Sequence, residues 1–180
     1  ARVYAGFAVS GQEGPAGRPD IRGIDEGFSN YMRQFWKHHE LNTDEAIIAW
    51  NDGTIHDLHN HVWTPANEFI RAMYDRIYFQ IGITNQYLRE TTEEKLNERN
   101  VEADLRAEIQ IFRAEARFMR ALSYWHAIDF FGPNIPFVVE EDPVGNFFPE
   151  PGEGTEIFNY IESELLAIEP ILVSARQNEY

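Results

Sequence analysis

Residues 101–131 read VEADLRAEIQIFRAEARFMRALSYWHAIDFF and contain neither glycine nor proline. Apolar residues recur in this stretch at spacings of three and four, as on one face of a helix: Leu105, Ile109, Phe112, Ala116 and Met119. Small residues that allow another helix to approach closely are interspersed: Ala114, Ala121 and Ala127. Gly132-Pro133 follows directly, and such a pair ends a helix. The stretch therefore predicts one long helix.

Two further helices are predicted on either side of it. The first begins at Thr64-Pro65, where Thr is a good N-cap and Pro suits the first helical position, and runs to about Glu90. Its apolar face is Phe69, Met73, Ile77, Ile81 and Leu88. The polar stretch 91–100 connects it to the long helix. The second begins at Thr155 and is broken by Pro170. A proline-rich loop, 132–154, precedes it and includes an extended piece at 135–139.

The N-terminal third of the chain has a different character. Val3–Val9 resembles the end of a helix that begins upstream, and a glycine-rich, turn-forming loop occupies 11–27. Asn42 or Thr43 is expected to cap a further helix, with Asp44 and Glu45 in its first turn. No strand pattern is found. Long helices with short connections predict an all-α array of helical hairpins.

Composition excludes several functional classes. The 180 residues include 15 Lys+Arg and 30 Asp+Glu, a formal net charge of −15. Such a chain repels phosphate backbones, so nucleic acid is not an expected partner. There is no Cys and no membrane-length apolar run. Of the cations, 13 are Arg and two are Lys, and Arg is expected to pair with the many carboxylates. The chain opens without Met and is expected to be a fragment.

Three motifs invite a catalytic or metal-binding reading. His56–His61 holds three histidines, but their spacing is not that of a zinc signature, and a polar loop or helix end is favoured. Gly11–Gly17 lacks the preceding strand of a phosphate loop, so its glycines are assigned to turns. Thr43-Asp44-Glu45 is assigned to the helix start rather than to a carboxylate pair. No catalytic residue, metal site or cofactor is therefore predicted.

Tryptophans offer an alternative chemistry, because flat aromatic rings stack on the apolar faces of sugars. Trp50 is the best candidate among Trp36, Trp50 and Trp63, since it is followed by the polar turn Asn51-Asp52-Gly53. Asn51 and Asp52 would supply hydrogen-bonding groups beside the ring. Trp125, within the long helix, is interpreted as a packing residue.

A set of motifs spanning the chain resembles the SusD/RagB family of outer-membrane nutrient-binding lipoproteins. The motifs are Gly11-Gln12-x-Gly14, Asp20 to Gly27, Leu41–Glu45, Ala49-Trp50, the Arg76…Asn85 helix, Ala114–Tyr124, and Asp129-Phe130-Phe131-Gly132 with Pro136-Phe137. The resemblance implies tetratricopeptide-like helical hairpins forming an α–α superhelix. Residues 1–180 would then be the N-terminal helical-repeat region, with the C-terminal half absent.

The same resemblance implies a function and two site residues. Family members are non-enzymatic, lipid-anchored on the surface of the outer membrane, and pass glycans or peptides to a TonB-dependent transporter. The lipid anchor would lie upstream of Ala1. The family's starch-binding founder uses an Arg matching Arg33, as a donor to sugar hydroxyls, and a Trp matching Trp50, as a stacking platform. Ile48 and Gly53 replace two other ligand-contacting residues of that protein, which argues against starch itself.

Several functional hypotheses stay open on the sequence alone. The first is a surface glycan-binding protein that delivers oligosaccharides to a transporter. The second is a helical-repeat scaffold that binds only protein. A peptide-binding member of the same family is a further alternative. The last is a metal-dependent hydrolase that uses His56–His61.

Overall fold

The protein is described here from a computed structural model, which defines residues 1–11, 18–145 and 148–174. Within these ranges there are seven helices and no strand, which confirms the all-α prediction. The helices are α1 (Arg2–Ala5), α2 (Tyr31–Glu40), α3 (Gly53–Asn60), α4 (Glu68–Glu90), α5 (Glu93–Glu98), α6 (Ala103–Phe131) and α7 (Gly154–Ile168). The predicted glycine turns at 12–17 lie outside the described residues. No helix in the described part of the chain has the length and apolarity needed to cross a membrane.

The chain divides into two compact units, residues 1–80 and 81–180, and the boundary falls within α4. A small apolar cluster organises part of the first unit and consists of Leu41, Ile55, Leu58 and Phe69. Partly buried hydrophobic residues pack against it: Phe28, Ala46, Ile48 and Ile70. This cluster draws α3 and the start of α4 against the segment that follows α2.

Arg76 fixes the loop of the first unit to α4. Its side chain is fully buried, and its Nη1 lies 2.7 Å from Asp20 Oδ1. The same guanidinium donates to the Ser29 hydroxyl at 3.0 Å and to the Ser29 carbonyl. A buried Arg that lost these partners would be left with an uncompensated charge. The irregular segment 18–30 is therefore held by a specific polar anchor.

The sequence prediction missed two helices in this unit, α2 and α3. The helix start expected at Asn42 or Thr43 is wrong. These residues follow the end of α2 at Glu40, and the next helix, α3, begins only at Gly53. Thr43 completes that end: its hydroxyl donates to the Glu40 carbonyl at 2.7 Å and accepts from the amide of Glu45 at 3.1 Å. The predicted helix at Val3–Val9 is shorter as well, since α1 covers Arg2–Ala5.

Helix α4 begins at Glu68 rather than at Thr64-Pro65. Asn67 caps it, because its Oδ1 accepts from the amides of Phe69 at 3.0 Å and Ile70 at 3.3 Å. The Asn67 Nδ2 also donates to the Thr54 carbonyl at 2.7 Å. Thr64 instead accepts from the amide of Ala66 within a turn, at 3.3 Å. Asn67 therefore caps the helix and is also bonded to α3, whereas Thr64 bonds only within its own turn, so the helix begins after Asn67.

In the second unit, α6 follows the prediction closely, and α7 begins one residue before the predicted start. Gly132 ends α6 with a φ of 80°, a conformation that glycine adopts without strain. The three alanines predicted to allow close helix approach are buried: Ala114, Ala121 and Ala127. Leu105, by contrast, is exposed at the start of α6. The connection 91–100 contains α5, which Thr92 caps.

A buried ionic cluster joins α6 to α7 and to the loop between them. Arg120 is almost fully buried and contacts Glu140 and Glu164, while Arg117 makes two hydrogen bonds to Glu164, at 2.7 and 2.9 Å. Arg120 also donates to Asn85 Oδ1 at 2.7 Å. These pairs confirm that arginines of this chain serve as partners of its carboxylates.

Candidate functional site

Helix α2 places two cations on one side. Asn30 starts this helix by accepting from the amide of Arg33 at 2.9 Å. Arg33 and Lys37 are four residues apart, so their side chains are neighbours on the helix surface. Neither forms a salt bridge to a residue in the described part of the chain. In a chain of net charge −15, two adjacent cations with no ion-pair partner among the described residues are unusual.

Arg33 is half-buried and lies against the ring of Trp50. Its Cζ atom is 5.1 Å from the centre of that ring, within the range of a cation–π contact. Its Nη1 donates to the carbonyl of Gly27 at 2.5 Å. A guanidinium carries five N–H donors, so this bond leaves further donors beside the aromatic ring.

Lys37 occupies a box of three aromatic rings. Only 2% of the residue is exposed, and its Nζ lies 4.5 Å from the centre of Phe69, 5.0 Å from Trp50 and 5.2 Å from Phe28. No atom of the described residues accepts a hydrogen bond from this Nζ. The contacts of the ammonium group are therefore with π-electron faces.

Burial lowers the pKa of Lys37 to about 8, and repulsion from Arg33 acts in the same direction. Asp52 and Glu68 oppose this shift through their negative charges. Lys37 thus remains mostly protonated at pH 7, and it loses its charge at a lower pH than an exposed lysine does.

Trp50 is held by these cations and yet is open to solvent. Its exposed fraction is 39%, and both Arg33 and Lys37 contact its ring. Cations on an aromatic ring fix its orientation, so the exposed part of the indole is presented in a defined direction. The structure therefore brings together Arg33 and Trp50, two of the four site residues selected from the sequence.

Asn51 and Asp52 continue the same irregular segment and are exposed. Asp52 stands at the N-cap position of α3 but makes no capping hydrogen bond through its side chain. It lies near enough to Lys37 to affect the pKa of that residue. Asp52 is thereby placed close to the cation–aromatic group, whereas no described contact links Asn51 to it.

The sequence analysis missed Lys37 as a member of this group. The available signal was its spacing of four from Arg33, on a chain with only two lysines. That spacing predicts a shared helix face only once α2 is known to be a helix. We use the name Trp50 site for Arg33, Lys37, Trp50 and Asp52 together.

The histidines of α3 do not form a metal site in the structure. No group of three or more His, Asp or Glu side chains converges as metal ligands among residues 1–11, 18–145 and 148–174. His61 ends α3 in the left-handed conformation, and its Nε2 lies 2.8 Å from the carbonyl of Asn42. His61 thus acts as a connector between two turns.

The remaining tryptophans are all surface residues. Trp36 is 52% exposed on α2, and Trp125 is 54% exposed on α6. The interpretation of Trp125 as a packing residue is therefore wrong. The helix that carries Trp125 was predicted correctly. An amphipathic pattern, however, does not specify which large side chains at the edge of the apolar face are covered by other parts of the protein.

Comparison with known proteins identifies a relative of the chain. No protein-family model matches it. The starch-binding protein SusD of Bacteroides thetaiotaomicron is 36% identical to it over 175 residues. The match includes 97% of this chain and 29% of SusD, so the chain spans less than a third of the length of that relative. Over these 175 residues the chain is therefore a homologue of part of SusD.

Proposed function

We propose that the protein binds glycans without transforming them, and that the Trp50 site contacts the sugar. The exposed face of the Trp50 indole stacks on the apolar face of a sugar ring, and Arg33 donates hydrogen bonds to ring hydroxyls. Asn51 and Asp52 supply further polar groups at the edge of the ring. The observation that carries the proposal is the Trp50 ring itself, partly exposed and fixed in orientation by Arg33 and Lys37.

The energetic argument rests on preorganisation. Stacking is productive only if the ring is already oriented, since ordering a mobile side chain costs about 0.5–1.5 kcal/mol. Lys37 and Arg33 supply that order before any ligand arrives. The two cations also place positive potential at the ring, which favours hydroxyl oxygens as acceptors from Arg33.

The biological setting is proposed from the similarity to the starch-binding protein SusD. Residues 1–180 would form a tetratricopeptide-like helical-repeat region of the SusD type. A lipid anchor would hold the protein at the outer surface of the outer membrane, and a TonB-dependent transporter would receive the captured oligosaccharide. No cofactor is required for capture and transfer of this kind.

A ligand titration tests the proposal. The protein is titrated by calorimetry with a panel of neutral oligosaccharides and, in parallel, with short peptides. Binding of at least one oligosaccharide is expected. Binding of peptides alone would support a peptide-binding member of the family instead. Absence of binding to every oligosaccharide in the panel contradicts the proposal and favours a protein-binding scaffold.

A further inference from the structure

A second concave surface lies entirely within the second unit, near the end of α6 and the start of α7. We name it the α6–α7 hollow and define it by Trp125, Asp129, Asn134, Glu153, Thr155 and Phe158. It has a volume of about 870 Å³, which falls within the range of about 300–1,000 Å³ that is usual for ligand sites. No residue of the Trp50 site takes part in it.

Two large aromatic side chains form walls of this hollow. Trp125 is 54% exposed and Phe158 is 57% exposed. Single exposed hydrophobic residues are common on protein surfaces, but two aromatic rings lining one concave surface are typical of a binding site. Both rings stand on regular helices, so their positions are set by backbone that does not depend on a flexible loop.

The polar groups of the hollow select against charged acidic ligands. Its ionisable side chains, Asp129 and Glu153, are both acidic, and none of the described lining residues is Lys, Arg or His. An anion in the hollow would meet repulsion from these carboxylates. Asn134 and Thr155 make no side-chain hydrogen bond to any described residue, so an amide and a hydroxyl are available to a ligand. Neutral hydroxyl groups suit this set, since they both donate and accept.

The frame of the hollow is tightly packed. A Cβ atom at Gly154 would lie 2.2 Å from the Cβ of Pro133, so the start of α7 approaches the Gly132-Pro133 turn as closely as only glycine allows. Nearby, the amide of Gly152 donates to the carbonyl of Ile135 at 2.8 Å. The backbone at the start of α7 is therefore closely packed against the Gly132-Pro133 turn, which limits the ordering that binding would require there.

We propose that the α6–α7 hollow is a second glycan-binding site, in which a neutral sugar ring packs against Trp125 and Phe158. The choice of a glycan as the ligand class rests on the proposed function. Asn134 and Thr155 exchange hydrogen bonds with ring hydroxyls, and Asp129 and Glu153 accept from others.

Calorimetric titration with short neutral oligosaccharides, too short to reach two sites at once, tests this proposal. The proteins compared are the unmodified chain, Trp125→Ala, Trp50→Ala and the control Trp36→Ala. Trp36 is a matched control because it is equally exposed and belongs to neither site. We expect two binding events for the unmodified chain and for Trp36→Ala. Trp125→Ala should lose one event, with affinity at the hollow reduced about tenfold or more.

A second variant, Phe158→Ala, guards against an indirect effect of Trp125→Ala and should remove the same event. An oligosaccharide rich in uronic acids should bind only at the Trp50 site, since the hollow repels anions.

If Trp50→Ala abolishes all binding and Trp125→Ala changes nothing, the second site is refuted while the proposed function stands. If no oligosaccharide binds at all, both fall. A change in oligomeric state alone in Trp125→Ala would mean that protein covers the hollow, and this too refutes the proposal.

Discussion

At the scale of single residues, Lys37 combines two opposing effects. Its ammonium group lies near three aromatic rings, and these contacts are favourable by about 0.5–2 kcal/mol each at most. Its burial removes the hydration of a charge, and no hydrogen bond to the described residues replaces that hydration. The lowered pKa indicates that the loss of hydration prevails. Lys37 therefore orients Trp50 at a cost to the stability of the fold.

Replacement of Lys37 by Met tests this balance. Met retains most of the volume and removes the charge, so Lys37→Met should raise the free energy of unfolding at pH 7, by up to about 3 kcal/mol. In the unmodified protein, the folded state releases the Lys37 proton near pH 8, and the unfolded state releases it near pH 10.5. Stability contributed by this group therefore rises with pH between those two values.

The measurement is urea unfolding of both proteins at several pH values. The advantage of Lys37→Met should be largest at pH 7 and should shrink between pH 8 and pH 10. A difference that does not vary with pH would mean that Lys37 is not buried as a cation. Lys95→Met is the control, since the Lys95 side chain is 43% exposed and its replacement should change stability by less than about 0.5 kcal/mol.

The residues of the Trp50 site were predictable to different degrees. Arg33 and Trp50 follow from resemblance to a family, and the polar turn after Trp50 is visible in the sequence. Lys37 was missed, because its burial results from rings that are distant in sequence, Phe28 and Phe69. Trp125 was assigned to the core, because periodicity identifies a helix but not what covers each of its sides.

At the scale of elements, long helices were predicted well and short ones were not. Helix α6 has no glycine or proline for 29 residues, so local propensity and apolar period agree over many turns. Helices α2 and α3 have 10 and 8 residues, which is too short for intrinsic helix propensity to predict them. Helices of that length owe their stability mainly to tertiary packing, and the sequence does not reveal this packing.

The start of α4 offers a direct comparison of the two candidate caps. Asn67→Ala removes the hydrogen bonds to the amides of Phe69 and Ile70 and the bond to Thr54. It should lower the free energy of unfolding by about 2 kcal/mol. Thr64→Ala affects only an exposed turn and should cost less than about 0.5 kcal/mol. Equal losses in the two variants, measured by urea unfolding, would contradict the helix start at Glu68.

The ionic cluster between α6 and α7 predicts a dependence on acid. Burial raises the pKa of Glu164, but hydrogen bonds from Arg117 and Arg120 outweigh it, so the pKa lies below its usual value. A carboxylate of this kind stabilises the fold above its unfolded pKa, and the stabilisation is lost as the pH falls through the folded pKa.

Glu164→Gln should therefore lower the free energy of unfolding at pH 7 by on the order of 3 kcal/mol, since it leaves Arg120 with one buried carboxylate partner fewer. The loss should diminish as the pH falls below the usual pKa of a glutamate towards the lowered pKa of Glu164. Glu162→Gln, on the exposed face of α7, is the control and should have little effect. A loss that persists unchanged into acid would show that the charge of Glu164 is not the source of the stabilisation.

At the scale of the whole molecule, charge and aromatic content separate into different roles. Of the arginines, Arg76, Arg117 and Arg120 neutralise carboxylates inside the two units, whereas Arg33 and Lys37 lie against an aromatic ring. Some of the aromatic residues are buried, whereas others reach solvent, among them Trp36, Trp50 and Trp125. The composition shows that aromatic residues are abundant, but only the fold shows which of them reach solvent.

The central claim is that the exposed face of Trp50 binds sugar, and the affinity of Trp50→Ala tests it most directly. The variant is titrated with the oligosaccharide that binds the unmodified chain most tightly, alongside Trp36→Ala. Loss of a stacking platform should weaken the event assigned to the Trp50 site about tenfold or more, while Trp36→Ala should bind like the unmodified chain. Unchanged affinity of every binding event in Trp50→Ala would contradict the claim.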